Sequence, residues 1–364
     1  MSAINIGIDV GKRSCVATVK GEARLVLMEE KFQRTTLGIT SFTERVMRDY
    51  PDREYRALVE STGNYWIRVH DVLESIGVDT LVAHPAKTKL IAESRLKNDR
   101  VDSQILADLL RSDFVCEAYV PDREHREFRQ LTRARMDLVA NRTAFKEKAL
   151  AILDKYELGE PDHKSFTGKW MQWLRPQLDT FSWVDRMQLS SLFEIVETLS
   201  SQVDAFTAKI ASIATEDERV KTLMTMPGID YLTALTIIAE IADISRFPTP
   251  WKLVSYAGLS PTHRDSSGRI RRGHITKQGS RWLRYAVVEA ANSARMHDGR
   301  LKAFYERVAA RRGPQKARVA TGKEMLVIIW YMLTRNEPYR GMNRASTVRK
   351  YKKMEKEAIV GASA

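Results

Sequence analysis

The opening of the chain alternates. Apolar residues fall at alternate positions or in short runs over residues 4–20, broken by a polar cluster at Gly11-Lys12-Arg13. That pattern predicts two strands joined by a tight turn, with a third strand over residues 24–32. An amphipathic stretch at 39–49 predicts a helix. A buried strand at 56–60 (RALVE), a helix over 65–76 and a strand over 78–83 follow. His84-Pro85 interrupts the pattern before a helical segment, KNDRVDSQILADLL, at 97–110. A hairpin followed by alternating strands and helices predicts an α/β layer on a mixed sheet.

After Pro121 the period changes. Leu131, Leu138, Phe145 and Ile152 recur every seven residues. Leu192, Val196, Leu199, Val203, Phe206, Ile210 and Ile213 then alternate steps of four and three. Such a seam predicts a long coiled-coil connector, paired within the chain or between subunits, and a helix on the chain's own core has the same spacing. The Pro-, Gly- and Trp-containing stretch 159–183 reads as the turn between the two arms. From Val220 the pattern is mainly helical and basic. The expected organisation is therefore α/β plus all-α. A catalytic α/β domain spans 1–120, a helical connector 121–219, a mainly helical C-terminal domain 220–340 and a basic tail 341–364.

Charge sharpens this picture. The chain's 364 residues carry 59 Lys+Arg against 46 Asp+Glu, a formal net charge of +13, which favours a polyanionic partner. The excess is concentrated: Arg264, Arg269, Arg271, Arg272, Lys277, Arg281 and Arg284 face a single acid, Asp265, and a second group spans 307–318. Two distant cysteines, Cys15 and Cys116, suit a reducing compartment and neither a disulfide scaffold nor a zinc site. The N-terminus lacks the apolar region of a signal peptide, and the strongest apolar run, 325–333, is too short to span a bilayer. The expectation is a cytoplasmic protein with no membrane partner.

Four acids draw attention. Asp9 interrupts an Ile/Val strand in GIDVG, and Glu60 ends the strand RALVE. Burying a carboxylate without a partner is expensive. Asp99 and Asp102, three apart on a helix, share a face. If the two strands are neighbours and this helix packs on them, four carboxylates converge and two Mg²⁺ ions (or Mn²⁺ in their place) would balance them, as in two-metal phosphoryl transfer. Each acid also has a bland role: Asp9 a turn cap, Glu60 a partner for Arg56 or Arg68, Asp99 an N-cap. GIDVG is similar, too, to the first strand of actin- and sugar-kinase-like ATPases, but the second glycine-rich loop that such enzymes need is missing.

The order strand-Asp, strand-end Glu, then DxxD on a helix resembles the RuvC-like ribonuclease-H fold of DEDD nucleases. Residues 226–284, from MPGIDYLTALTIIAEIADISRF through YAGLSPTHRDSSGRIRRGHITKQGSRWLR, resemble the C-terminal domain of Piv-like DEDD transposases of bacterial insertion sequences. The resemblance implies a RuvC-like domain, a coiled-coil connector and a second domain that supplies a serine nucleophile. It implies a metal tetrad at Asp9, Glu60, Asp99 and Asp102, and a nucleophile in Ser266-Ser267-Gly268, assigned to Ser267 because it precedes the glycine, with Ser266 the neighbouring alternative. It further implies donor and target DNA, a structured noncoding bridge RNA as guide, assembly as a dimer or tetramer, and a place at the bacterial nucleoid. A serine needs activation to attack. Arg269, Arg271, Arg272, Lys277, Arg281 and Arg284 are the expected nucleic-acid contacts.

Two smaller readings complete the set. Met226-Pro227-Gly228-Ile229 before a helical pattern resembles a helix-hairpin-helix contact to a phosphate, and fits a plain interhelical turn as well. Trp251, Tyr256 and Trp282 read as core rather than base-stacking residues. The competing activity is a Holliday-junction or structure-specific nuclease that uses the tetrad alone.

Overall fold

The computed structural model describes residues 3–22, 25–60, 63–91, 98–159, 163–266 and 269–362. It separates into two compact units, Met1–Val120 and Pro121–Ala364.

In the first unit, β1 (Ala3–Val10), β2 (Ser14–Lys20) and β3 (Val26–Gln33) form an antiparallel meander, as the alternation predicts. After α1 (Thr36–Asp49), β4 (Glu54–Glu60) returns parallel to β1. After α2 (Tyr65–Ile76), β5 (Asp79–Ala83) lies parallel to β4. The result is a five-stranded mixed sheet in the order β3-β2-β1-β4-β5. One face buries Ile4, Ile6, Ile8, Ala17 and Val19 against Ile39, Phe42 and Val46 of α1 and Val69 and Leu73 of α2.

A short helix, α3 (Pro85–Ile91), leads on to α4 (Asp99–Arg111), which covers the other face through Leu106, Leu109 and Leu110 against Leu58 and Ala83. What lets α4 sit so low is Gly7. A Cβ added there would stand 2.1 Å from the Ser103 carbonyl oxygen and 2.2 Å from the Ala107 nitrogen, so the helix backbone rests directly on a bare strand position. Two polar ties fix its rotation: Thr18 Oγ1 lies 2.8 Å from Ser103 Oγ, and Lys20 Nζ donates to Asp108 at 2.7 Å.

The second unit is helical apart from one ribbon. Long helices α5 (Arg123–Leu153) and α7 (Trp183–Glu216) pack along each other. Around the end of α7 gather α8 (Glu218–Met224), α9 (Tyr231–Ile241), α10 (Pro250–Tyr256), α11 (Arg281–His297), α12 (Gly299–Arg312) and α13 (Pro314–Arg335). Between α10 and α11 stands a two-stranded antiparallel ribbon, β6 (Pro261–Ser266) and β7 (Arg269–Ile275).

Two expectations change here, and a third is narrowed. Val196, Val203 and Ile210 of the seam are buried, Val203 to 2 % exposure, within the chain's own helices. The partners of α7 include α5 and α14 (Arg344–Ala362), so those positions pack within the chain, one of the alternatives that the spacing allows, while Leu192, Leu199, Phe206 and Ile213 stay half-buried. The stretch expected as a basic tail is this helix α14, whose Met354 enters the main core with Ile210, Ala214 and Leu223. Nor is 159–183 a plain turn: α6 (Gly168–Leu174) builds a separate small core in which Trp170, Leu174 and Phe181 meet Ile152 and Leu189. Among the described residues no helix is long and apolar enough to cross a membrane.

Candidate active site

Strand register brings Asp9 and Glu60 side by side. Ile8 pairs with Val59 in the parallel β1–β4 ladder, so the next step places Asp9 level with Glu60, on strands about 4.8 Å apart. Period-two alternation puts Asp9 on the same face as Gly7, the face that α4 covers. Because α4 rests on Gly7 through Ser103 and Ala107, its first turn, which bears Asp99 and Asp102, projects past Gly7 toward Asp9.

The electrostatics point the same way. Burial, then Asp99, Asp102 and Glu60 in turn, push the Asp9 carboxyl from 3.8 up to about 6, against a single compensating hydrogen bond from the Val10 N–H. Asp9, Glu60 and Asp102 are half-buried, and Asp99 is exposed. The bland role for Asp99 is taken by its neighbour: Asn98 caps α4, its side chain accepting from the Arg100 N–H at 3.1 Å. Asp99 and Asp102 are thus left in the first turn, where the helix dipole favours negative charge without neutralising it. Outside this ring, Glu29 of β3 accepts from Arg100 and Gln104 and anchors the same turn from the sheet side. Carboxylates are the ligand type that a hard divalent cation takes.

Among the described residues, the acidic group whose ligand atoms do lie within 4.8 Å of one another is a different one, Asp122, Glu124 and His125; the four acids of the first unit do not close on a common point in that way. The geometry of the Asp122 group is already committed. Asp122 caps α5 through the His125 N–H at 2.8 Å and accepts from His125 Nδ1 at 2.7 Å, and the Arg219 guanidinium approaches Nε2 at 3.2 Å. With both ring nitrogens engaged, the group serves the start of the helix.

In the second unit Ser266 pairs with Arg269 across the ribbon. Ser267, with Gly268, lies outside the described residues. Arg269, Arg271 and Arg272 lie on β7. Lys277 follows with a left-handed backbone (φ 55°). Arg281 opens α11, its guanidinium 4.4 Å from the centre of the Trp282 ring. Arg284 is engaged within the chain, where its Nη1 donates to the Ala257 carbonyl at 2.8 Å. The segment 225–230 joins α8 to α9 as a hairpin. Gly228 (φ +81°) fits so tightly that a Cβ would lie 2.3 Å from the Ala290 carbonyl oxygen. Trp251 is not core. It is 58 % exposed, with Lys323 Nζ 5.0 Å above its ring.

Two residues that matter are not singled out by sequence reasoning, and both carry a signal. Gly7 is a glycine inside an Ile-rich strand, the mark of a close backbone approach. Glu240 is an acid inside the apolar run TIIAEIADI, the same signal that marks Asp9.

Known proteins bear on this arrangement. Residues 6–157 match the DEDD transposase family of IS110, and residues 220–306 match the transposase family IS116/IS110/IS902. The chain is 26 % identical to the putative transposase y4qE of Sinorhizobium fredii, over 79 % of this chain and 70 % of that one. It is 25 % identical to the transposase for insertion sequence element IS1111A of Coxiella burnetii, over 76 % of each. Identity to the pilin gene-inverting protein of Moraxella bovis is 24 %, over 93 % of this chain and 98 % of that one. The two matches fall in order, one over the carboxylate unit and one over the ribbon. The chain belongs to the IS110/IS116 family and is an insertion-sequence transposase, an enzyme that cuts and rejoins DNA.

Proposed function

We propose that this transposase exchanges DNA strands through a phosphoserine intermediate, with Ser267 as nucleophile and Asp9, Glu60, Asp99 and Asp102 as ligands of divalent metal, Mg²⁺ in the cell. The observation that supports the metal site is the elevation of Asp9 by burial and by three neighbouring carboxylates, whose charge excess a cation would relieve. Bound there, such ions would supply Lewis-acid polarisation of a backbone phosphate.

The residues' own steps balance without ATP. The Ser267 Oγ attacks phosphorus, an Oγ–P bond forms, a P–O bond to deoxyribose breaks, and the serine proton ends on the leaving hydroxyl. The reverse attack by a hydroxyl of the exchanged strand restores both the DNA and the serine. The cations of β7 and its flank, Arg269, Arg271, Arg272, Lys277 and Arg281, neutralise phosphates of donor and target DNA. The +13 charge accommodates a structured guide RNA in addition. A dimer or tetramer would let the serine of one copy serve the tetrad of another.

A second reading has one observation in its favour. All four carboxylates lie within residues 1–120, a compact unit by itself, and a water nucleophile there would make the protein a structure-specific nuclease. Denaturing electrophoresis of the full-length protein, its co-purifying RNA, Mg²⁺ and a labelled duplex spanning the element's joined ends separates the two. Wild type and Ser266→Ala should give a slow protein–DNA band, and Ser267→Ala should lose both that band and cleavage. Cut DNA from wild type with no such band would favour the nuclease and rule out the serine mechanism.

A further inference from the structure

The largest unexplained use of charge in the second unit lies at the foot of the ribbon. Glu240 of α9 is 0 % exposed. Its carboxylate accepts from Arg133 Nε at 2.7 Å and Nη2 at 2.9 Å, and from Ser280 Oγ at 2.8 Å. One turn earlier on α5, Arg129 donates to the carbonyls of Ala239 and Glu240, each at 2.7 Å. The Tyr256 hydroxyl donates to the same Glu240 carbonyl at 3.2 Å.

Two of these bonds, from the Ser280 and Tyr256 hydroxyls, reach the two chain segments that become the ribbon. Residues 256–260 lead into β6 and 276–280 lead out of β7, and the two segments run antiparallel beside each other. The Ser280 N–H donates to Tyr256 O at 2.9 Å, Lys277 to Gly258 O at 3.1 Å and Thr276 to Ser260 O at 2.9 Å. At the foot they approach too closely for a side chain: a Cβ on Gly279 (φ +97°) would lie 2.1 Å from the Tyr256 carbonyl oxygen. Glu240 thus ties both ends of the ribbon into one clasp, Ser280 at its carboxylate and Tyr256 at its carbonyl, with Arg133 on the carboxylate's other side.

A buried ion pair adds little stability of its own, since apolar side chains of similar volume serve equally well or better. Geometry gives it a reason. The ribbon's six-residue strand β6 puts its far end roughly 20 Å from the clasp. A tilt of about 5° at the foot would then carry that end nearly 2 Å. A displacement of about 1 Å can cost a reaction about 100-fold.

We propose that Glu240, acting through Arg133 and Ser280, is a positioning residue that sets where the ribbon presents its serine. The proposal rests on the reading of Ser267 as nucleophile. It specifies a loss in rate at saturating DNA, with DNA affinity retained.

The decisive variant replaces the pair by apolar groups, Glu240→Met with Arg133→Met, so that no charge is left buried and alone. Full-length protein with its co-purifying RNA is mixed with the labelled duplex of joined element ends and Mg²⁺. The rate of protein–DNA adduct formation is followed against DNA concentration, beside a thermal melt. Expected is a melting temperature at or above wild type, an unchanged half-saturating DNA concentration, and adduct formation slowed about 100-fold. The conservative Glu240→Gln, which keeps an acceptor for Ser280, should recover part of that rate. A double variant that melts like wild type and forms adduct at the wild-type rate would reduce the pair to scaffolding. Should the double variant not fold, Glu240→Gln and Ser280→Ala at the wild-type rate would overturn the proposal equally. Failure of wild type itself to form adduct is a different result: it removes the serine reading on which the proposal stands.

Discussion

Two acids sit in apolar surroundings in this molecule, and the chain treats them in opposite ways. Asp9, on a strand of the first unit, faces three other carboxylates and receives one backbone hydrogen bond. Glu240, on a helix of the second unit, has a bidentate guanidinium and a serine hydroxyl on its two oxygens. Burial does not separate a site from a scaffold, because Glu240 is the more buried of the two. Partners do. A carboxylate whose neighbours are like charges stores an unfavourable interaction that a proton or an arriving cation relieves. A carboxylate whose lone pairs are taken has nothing left to bind with.

The sharpest way to test that contrast is to remove one acid from each cluster. Asp102→Asn takes a charge from the carboxylate cluster while keeping the side chain's volume. Strand cleavage should fall at least about 1000-fold, a loss of the size expected when a group that acts on the reacting phosphate is removed. Nucleic-acid binding, read by gel shift, should stay within about threefold, and the metal-free melt should not fall. Cleavage that survives the substitution would take Asp102 out of the site.

The opposite loss belongs to Glu240→Ala. Here the chemistry is remote and the cost is stability, because Arg133 is left with its charge unpaired beside the core. Breaking a buried pair costs about 3–5 kcal/mol, and since Arg133 is itself half-exposed the lower end, about 3 kcal/mol, is expected. Urea unfolding monitored by circular dichroism would measure it. A change under about 0.5 kcal/mol would mean that the clasp is held by its glycines and backbone bonds alone.

The two units also differ in how much of them is legible in the sequence. In the first, strand alternation is a local signal, and every strand, the helix over Tyr65–Ile76 and the acid-bearing helix can be read before any tertiary contact is known. Adjacency of Asp9 and Glu60 follows from the topology that such an element order permits. Gly7 is visible but carries no indication that a helix backbone rests on it. In the second unit, a seven-residue spacing reports only that one face of α7 is buried. It does not reveal whether a second subunit or α5 and α14 do the burying, and Val203 is enclosed by its own chain. The basic stretch after residue 340 looks like a tail for a related reason. Only a few apolar positions, Met354 among them, anchor α14, too sparse a stripe among so many cations to read as a docked helix.

The smallest expected effect is the most direct probe of the repulsion itself. In the metal-free chain the Asp9 carboxyl titrates near 6, above its ordinary 3.8. The folded state therefore holds a proton that the unfolded state has already released. That contribution is fully present below about pH 4 and is lost as pH rises through 6. Asp9→Asn removes the titration, so its melting temperature should pull ahead of wild type as pH climbs from 4 to 7. Solvent reaches part of the carboxyl, so the gain should be no more than about 1 kcal/mol, a few degrees for a unit of this size. Adding Mg²⁺ should reverse the order, because wild type can replace the proton with a cation and the asparagine variant has lost a ligand. Parallel melting curves across that pH range would mean that the other three carboxylates do not crowd Asp9 in solution. A gap that Mg²⁺ leaves untouched would mean that they crowd it for something other than a metal.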